Sequence, residues 1–256
     1  DLKAISKAAQ IYKVPFIVDN TVATPFLLNP IEHGANIVIH SLTKYIGGNG
    51  TSLGGVIIDA GNFDWSNGKF PEFTEPSAGY HGLKYYEVLG AASFIAKVRI
   101  EGLRDLGASL SPFNAFQIIQ GLETLAIRIK KHSENALELA KWLQKSPEVA
   151  WVNYPGLISS KYYDLAQEYL PEGQSGIVTF GLKGGYEAAK KVADETQFFS
   201  LLANIGDTKS LIIHPASTTH QQLSEEQQIT TGVTKDLIRL SVGLEDIEDL
   251  KADLQS

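Results

Sequence analysis

Short apolar runs alternate with segments of helical period along this chain. Leu2, Ile5, Ala8 and Ala9 recur at helical spacing, so the chain opens inside or at the edge of a helix. Residues 14–19 (VPFIVD) form a continuous apolar run ending in an acid, which predicts a buried parallel strand. An irregular stretch containing Pro25 and Pro30 follows, then a helical turn over residues 31–34. Ile37, Val38 and Ile39 make a second buried run and residues 54–59 (GGVIID) a third. Helix, strand, connection, strand, loop, strand is an α/β order, and open α/β sheets place their ligand crevice at the carboxyl ends of strands. Asp19 and the turn from Ser41 to Lys44 stand at two such ends.

The pattern changes after Leu110. Ser111 followed by Pro112 predicts a helix start, with a hydroxyl N-cap and proline at the first helical position, and Gly121 predicts a break or kink. Leu125, Ile129, His132, Ala136, Leu139 and Leu143 then repeat every three or four residues, as an amphipathic helix ending before Pro147. Strands over 149–154, 176–182, 210–213 and 237–242 alternate with helices over 162–169, 186–195 and from Asp246. The expected division is a cofactor-binding large domain over 1–110, then linking helices and a smaller C-terminal α/β domain over 111–256. No repeat or low-complexity linker interrupts it.

The stretch NIVIHSLTKYIGGNGTSLGG, from Asn36 to Gly55, carries the candidate chemistry. Ser41 and Thr43 supply hydroxyl donors two apart on a turn, and the glycines that follow let backbone N–H groups approach a phosphate closely. Lys44, between these hydroxyls and the glycines, is placed to reach an aldehyde on the same ligand. In a P-loop the glycines precede the lysine, so an ATPase reading is rejected. Asp19 can keep a cofactor ring nitrogen protonated, making the ring an electron sink. Together these features point to pyridoxal 5'-phosphate. Each alone has a plainer explanation, since Thr-Lys pairs are common and most aspartates after a strand cap a turn. A dinucleotide-binding domain would carry G-x-G-x-x-G after the first strand, where VDNTVATP stands instead.

Composition narrows the partners. The chain has 22 Lys plus Arg against 29 Asp plus Glu, a net charge of −7, and no basic patch, so nucleic acid is not expected. No apolar run approaches the roughly 18 residues that span a bilayer and no leader opens the chain, so a cytoplasmic location is expected. There are no cysteines, which removes disulfides and thiolate ligands, and no methionines. A chain that begins at Asp1 without methionine reads as part of a longer product. His214 and His220 are six apart across a proline, match no helical ligand pair and have no clustered carboxylates, so no metal site is expected. His40 abuts the Lys44 turn as a neighbour of the site or a satisfied structural histidine. Tyr80 and His81 border a substrate entrance or simply pack.

VDNT at Val18 to Thr21 and HSLTKYIGGNG at His40 to Gly50 resemble the signature of the Cys/Met-metabolism pyridoxal-phosphate enzymes, the cystathionine synthase and lyase family. The narrower resemblance is to its O-acetylhomoserine sulfhydrylases, through GTSLGGVIID (50–59), GYHGLKY (79–85), LSPFNAFQIIQGLETL (110–125), HPASTTHQQLS (214–224) and LIRLSVGLED (237–246). It covers essentially the whole chain and implies the fold type I pyridoxal-phosphate transferase fold, with only part of the large domain present. By this resemblance Lys44 is the Schiff-base lysine, Asp19 partners the pyridine nitrogen, Ser41 and Thr43 bind phosphate, and Thr21 lies near the cofactor. Arg239 clamps the substrate carboxylate and Asn204 joins it at the substrate. On pattern alone Arg239, alternating with apolar neighbours, reads as an exposed strand residue.

The implied reaction joins O-acetyl-L-homoserine and sulfide into L-homocysteine and acetate, in a homo-oligomer, a dimer or tetramer. Lys44 moves the protons. A methionine γ-lyase or a cystathionine γ-synthase or lyase would need the same residues, and a silent folding module would need none of them. Two positions depart from the family pattern: Asn36, where aspartate is usual, and Asn204, where many relatives carry serine. The N-terminal portion of relatives, with its phosphate loop and ring-stacking tyrosine, has no counterpart here, so the chain alone is expected to bind cofactor poorly.

Overall fold

The computed structural model describes residues 1–255 as a mixed α/β chain in two compact units. The first comprises Asp1–Thr21, Asn29–Leu42 and Leu53–Phe116; the second comprises Val22–Leu28, Thr43–Ser52 and the chain from Gln117 onward.

In the first unit, Asp1 caps helix Leu2–Ile11 by accepting the Ala4 N–H at 2.9 Å. Strands β1 (Ile17–Asp19), β2 (Ile37–Ser41) and β3 (Gly55–Asp59) form one sheet in that order. The β1–β2 pair is parallel, with Asp19 opposite Ile39, and β2–β3 is antiparallel. Asp19 and Ser41 therefore stand at the same carboxyl edge. The expectation of three buried strands is corrected: Ile37 and Val38 of β2 are buried, but Ile17 of β1 is 47% exposed and Ile57 and Ile58 of β3 are 38% exposed. In a three-stranded sheet only the middle strand has a neighbour on each side. Phe16, Ala35 and Val38 form one cluster with Leu2 and Ala9 of the helix, while Ile37, Trp65, Phe73 and Tyr85 form another. Asn36 holds the β2 start, accepting the Phe16 N–H at 2.8 Å and donating to Asn62 Oδ1 at 2.7 Å. Tyr80 packs within this unit, its hydroxyl donating to the Ile100 carbonyl at 2.8 Å.

The second unit has a five-stranded sheet of β4 (Val149–Asn153), β5 (Ile177–Leu182), β6 (Ser200–Leu201), β7 (Leu211–Ile213) and β8 (Leu237–Ser241), in the order β4-β5-β8-β7-β6. All neighbours are antiparallel except β6–β7. Helices Leu125–Leu143, Gly185–Glu195 and Ile247–Gln255 share one apolar core with it, including Leu139, Ala189, Ile238, Leu240 and Leu250. Their three- and four-residue apolar spacing supplies that face. Elements that the apolar pattern did not announce include β6, two residues long, helix Thr24–Leu27, and helix Glu225–Thr230, which a capping box between Ser224 and Gln227 opens.

Gly121 does not break its helix, which runs Pro112–Glu123; the interruption comes at Thr124, at φ −107°, ψ 4°. Glycine is needed there for another reason. A Cβ on Gly121 would lie 2.2 Å from the Gly47 carbonyl oxygen, so this helix packs directly on the backbone just after Lys44.

Candidate active site

The seven candidate residues fall into two sets, one in each unit. Asp19, Thr21 and Ser41 belong to the first, at the carboxyl ends of parallel strands β1 and β2. Asp19 is exposed; its Oδ1 accepts the Thr21 N–H at 3.0 Å, and its second oxygen makes no hydrogen bond among the described residues. The buried Thr21 hydroxyl accepts the Ser41 N–H at 2.8 Å, tying the two strand ends together. The Ser41 hydroxyl makes no hydrogen bond among the described residues and is half-buried. Next to Ser41 in β2, His40 is buried; its Nδ1 has no partner among the described residues while its ring bonds the Asn20 backbone, so it is satisfied on one side only. Burial holds its pKa below the usual imidazole value, against the opposing pull of Asp19.

Thr43, Lys44, Asn204 and Arg239 belong to the second unit. Lys44 lies in a tight π-type turn, Leu42–Ile46, and breaks it with φ −92°, ψ −131°. Its Nζ donates to Asn204 Oδ1 at 2.5 Å, and the Asn204 carbonyl accepts from Arg239 Nη2 at 3.2 Å. One asparagine thus joins the amine to the guanidinium. Arg239 sits on β8 opposite Thr179 and Ile213, and its Nε is buried without a partner among the described residues. It is half-buried rather than the exposed strand residue its alternation suggested, because β8 is the central strand and the side chain bonds the Asn204 carbonyl. Burial lowers its pKa.

Next to Lys44, Tyr45 is fully buried, its ring edge-on to His132 at 5.2 Å. Burial raises the phenol pKa. Gly206 seals the turn from the loop side: at φ +73° its Cβ would meet the Tyr45 nitrogen at 2.6 Å. The Lys44 carbonyl accepts the Gly48 N–H at 2.8 Å, and the Gly48 carbonyl accepts the Thr208 N–H at 2.8 Å. His214 bonds Ser217 Oγ and the Lys235 carbonyl, both at 2.8 Å, while His220 meets Thr219.

These groups are of the types a phosphorylated pyridine aldehyde needs. An amine suits the aldehyde, an uncommitted hydroxyl the phosphate, and a carboxylate with one uncommitted oxygen the ring N–H. The family model described as Cys/Met metabolism PLP-dependent enzyme matches residues 1–256. The chain belongs to that family.

The Cys/Met-metabolism family is pyridoxal-phosphate-dependent, and its members' names specify the likeness further. The chain is 56% identical to the O-acetyl-L-homoserine sulfhydrylase of Leptospira meyeri, aligning over 100% of itself and 60% of that protein. To O-acetyl-L-homoserine sulfhydrylase 1 of Thermus thermophilus it is 52% identical, over 100% of itself and 61% of the relative. A 2.35 Å crystal structure of a Campylobacter jejuni protein assigned as an O-acetylhomoserine (thiol)-lyase, containing N'-pyridoxyl-lysine-5'-monophosphate, superposes with a TM-score of 0.95 at 49% identity, covering 100% of this chain and 61% of that one. The fold is therefore that of fold type I pyridoxal-phosphate enzymes. The chain spans about 60% of the length of the curated relatives it matches.

Among the described residues no helix is long and apolar enough to cross a membrane.

Proposed function

We propose that this chain supplies the lysine-bearing part of a γ-replacement enzyme that converts O-acetyl-L-homoserine and sulfide into L-homocysteine and acetate. The observation that carries the reading is the chain Lys44–Asn204–Arg239. It couples an amine fit for proton transfer to a guanidinium fit for a carboxylate. Bound pyridoxal phosphate would supply an electron sink for a carbanion next to the substrate nitrogen. In this reading Lys44 holds the cofactor aldehyde and, once released, moves protons between substrate carbons. Asp19 faces the ring nitrogen with its uncommitted oxygen, and Thr21 keeps the Ser41 backbone in place. Ser41 and Thr43 hold phosphate. Arg239 takes the substrate carboxylate with its planar fork, while Asn204 holds Lys44 and contributes to the substrate pocket. A homo-oligomer completes the assembly.

Borohydride reduction of the longer gene product after incubation with pyridoxal phosphate, followed by peptide mass spectrometry, tests the cofactor role. A phosphopyridoxyl adduct on Lys44 is expected, and labelling spread over surface lysines instead would refute it. The longer gene product, offered O-acetylhomoserine with sulfide, with cysteine, or alone, and methionine alone, tests the reaction. Homocysteine formed only in the first mixture supports γ-replacement with sulfide; cystathionine, or a keto acid without added nucleophile, points to the synthase or γ-lyase reactions.

A further inference from the structure

Arg128 is 7% exposed, yet no acid of the described residues forms an ion pair with it. Its guanidinium donates to the Tyr45 carbonyl at 2.7 Å, the Ile46 carbonyl at 3.1 Å and the Gly121 carbonyl at 2.7 Å, and its Nε donates to Thr124 Oγ1 at 3.1 Å. Burial alone accounts for its lowered pKa.

Burying a cation with no counter-ion is costly, and a core filler of similar length would avoid the cost. What the guanidinium provides is geometry. Lys44, at ψ −131°, takes the backbone out of helical register, so the carbonyls of Tyr45 and Ile46 cannot rely on a helical ladder. A rigid planar fork meets both and anchors them to the Gly121 carbonyl. The fit leaves no slack, since a Cβ on Gly48 would stand 2.3 Å from Arg128 Nη1.

We propose that Arg128 is a positioning residue for Lys44, clamping the two peptide units that follow it so that the Lys44 amine is presented in one direction. The proposal rests on the reading of Lys44 as the cofactor lysine. Lysine at 128 would keep the charge and lose the fork, so the conservative exchange is not expected to rescue.

The test compares, in the longer gene product, the wild type, Arg128→Lys and, as a milder lesion that retains the guanidinium, Thr124→Val. Two quantities are read: amide exchange in the peptide spanning 42–50 against that spanning 237–242, and the rate at which pyridoxal phosphate forms a borohydride-stable adduct on Lys44. In Arg128→Lys, exchange over 42–50 should rise about tenfold and the Lys44 adduct rate fall about tenfold, with 237–242 within about twofold of wild type. Thr124→Val should shift both in the same direction by less, and decides the matter by the same criteria if Arg128→Lys does not fold. The proposal is overturned if exchange over 42–50 and the adduct rate both stay within about twofold of wild type, or if both peptides loosen alike. If wild type itself forms no Lys44 adduct, the cofactor reading fails, and exchange alone judges the clamp.

Discussion

The Lys44 amine donates to the Asn204 side-chain carbonyl at 2.5 Å, across 160 positions of sequence. The contact holds the amine in place, and it belongs to a residue that also receives the Arg239 guanidinium through its backbone. A change at Asn204 should therefore be felt first at Lys44. Asn204→Ala removes a hydrogen bond to a charged group, of order 1.5–3 kcal/mol, discounted because the pair is part-exposed. The expected outcome is a roughly tenfold slower adduct of pyridoxal phosphate with Lys44, measured by quenched borohydride trapping. An unchanged rate would mean the contact is incidental.

Arg239→Lys keeps the charge and loses the planar fork. In the longer gene product, the KM for O-acetylhomoserine should rise by about tenfold or more, with a smaller change in kcat, because carboxylate binding is shared by ground and transition states. Steady-state kinetics decide it. A kcat loss with unchanged KM would place Arg239 at the reacting carbons instead.

Gly121→Ala sets two effects against each other. Alanine in a helix interior gains about 1 kcal/mol of propensity over glycine. The new Cβ, however, would meet the Gly47 carbonyl oxygen at 2.2 Å, a backbone atom that cannot rotate away. Overpacking of this kind costs about 1–3 kcal/mol, so the clash wins. Urea denaturation should show net destabilisation, and a gain would show that the helix and the turn separate easily.

His132 imposes a pH dependence. It is fully buried in the second unit, its Nδ1–H donates to the Val242 carbonyl at 2.6 Å, and its Nε2 has no partner among the described residues. Burial brings its pKa from 6.5 down to about 4. The folded chain then binds fewer protons than the unfolded chain between these values, so stability is full above pH 6.5 and falls as pH drops toward 4. The loss is of order 3 kcal/mol at the low end of that window. Chemical denaturation at pH 7 and pH 4.5 should show a smaller difference in His132→Gln than in wild type. Equal differences would mean that other groups dominate.

Much of this was written in the residue pattern. The strand ends at Asp19 and Ser41, the lysine turn before its glycines, and most helices and strands of the second unit follow from apolar spacing and turn chemistry, which are local. What local pattern missed is equally specific. Gly121 read as a breaker because a glycine in a helix usually weakens it, and nothing nearby in sequence announces the Gly47 carbonyl. Helix Glu225–Thr230 was announced by its Ser224–Gln227 box, a signal present in the sequence but passed over.

The sequence by itself determined the α/β order, the amine and hydroxyls on one turn, and, through its motifs, the family. Tertiary structure alone decided which partners those groups meet. Asn204 reaches Lys44, and Arg128 reaches the carbonyls behind it, across 160 and about 80 positions. The burial of Arg128, His132 and Tyr45 is settled there too. Hydrogen bonds and desolvation depend on distances between atoms that chain order does not encode, so a buried arginine amid helical apolar spacing looks like any solvated one until the helix is packed.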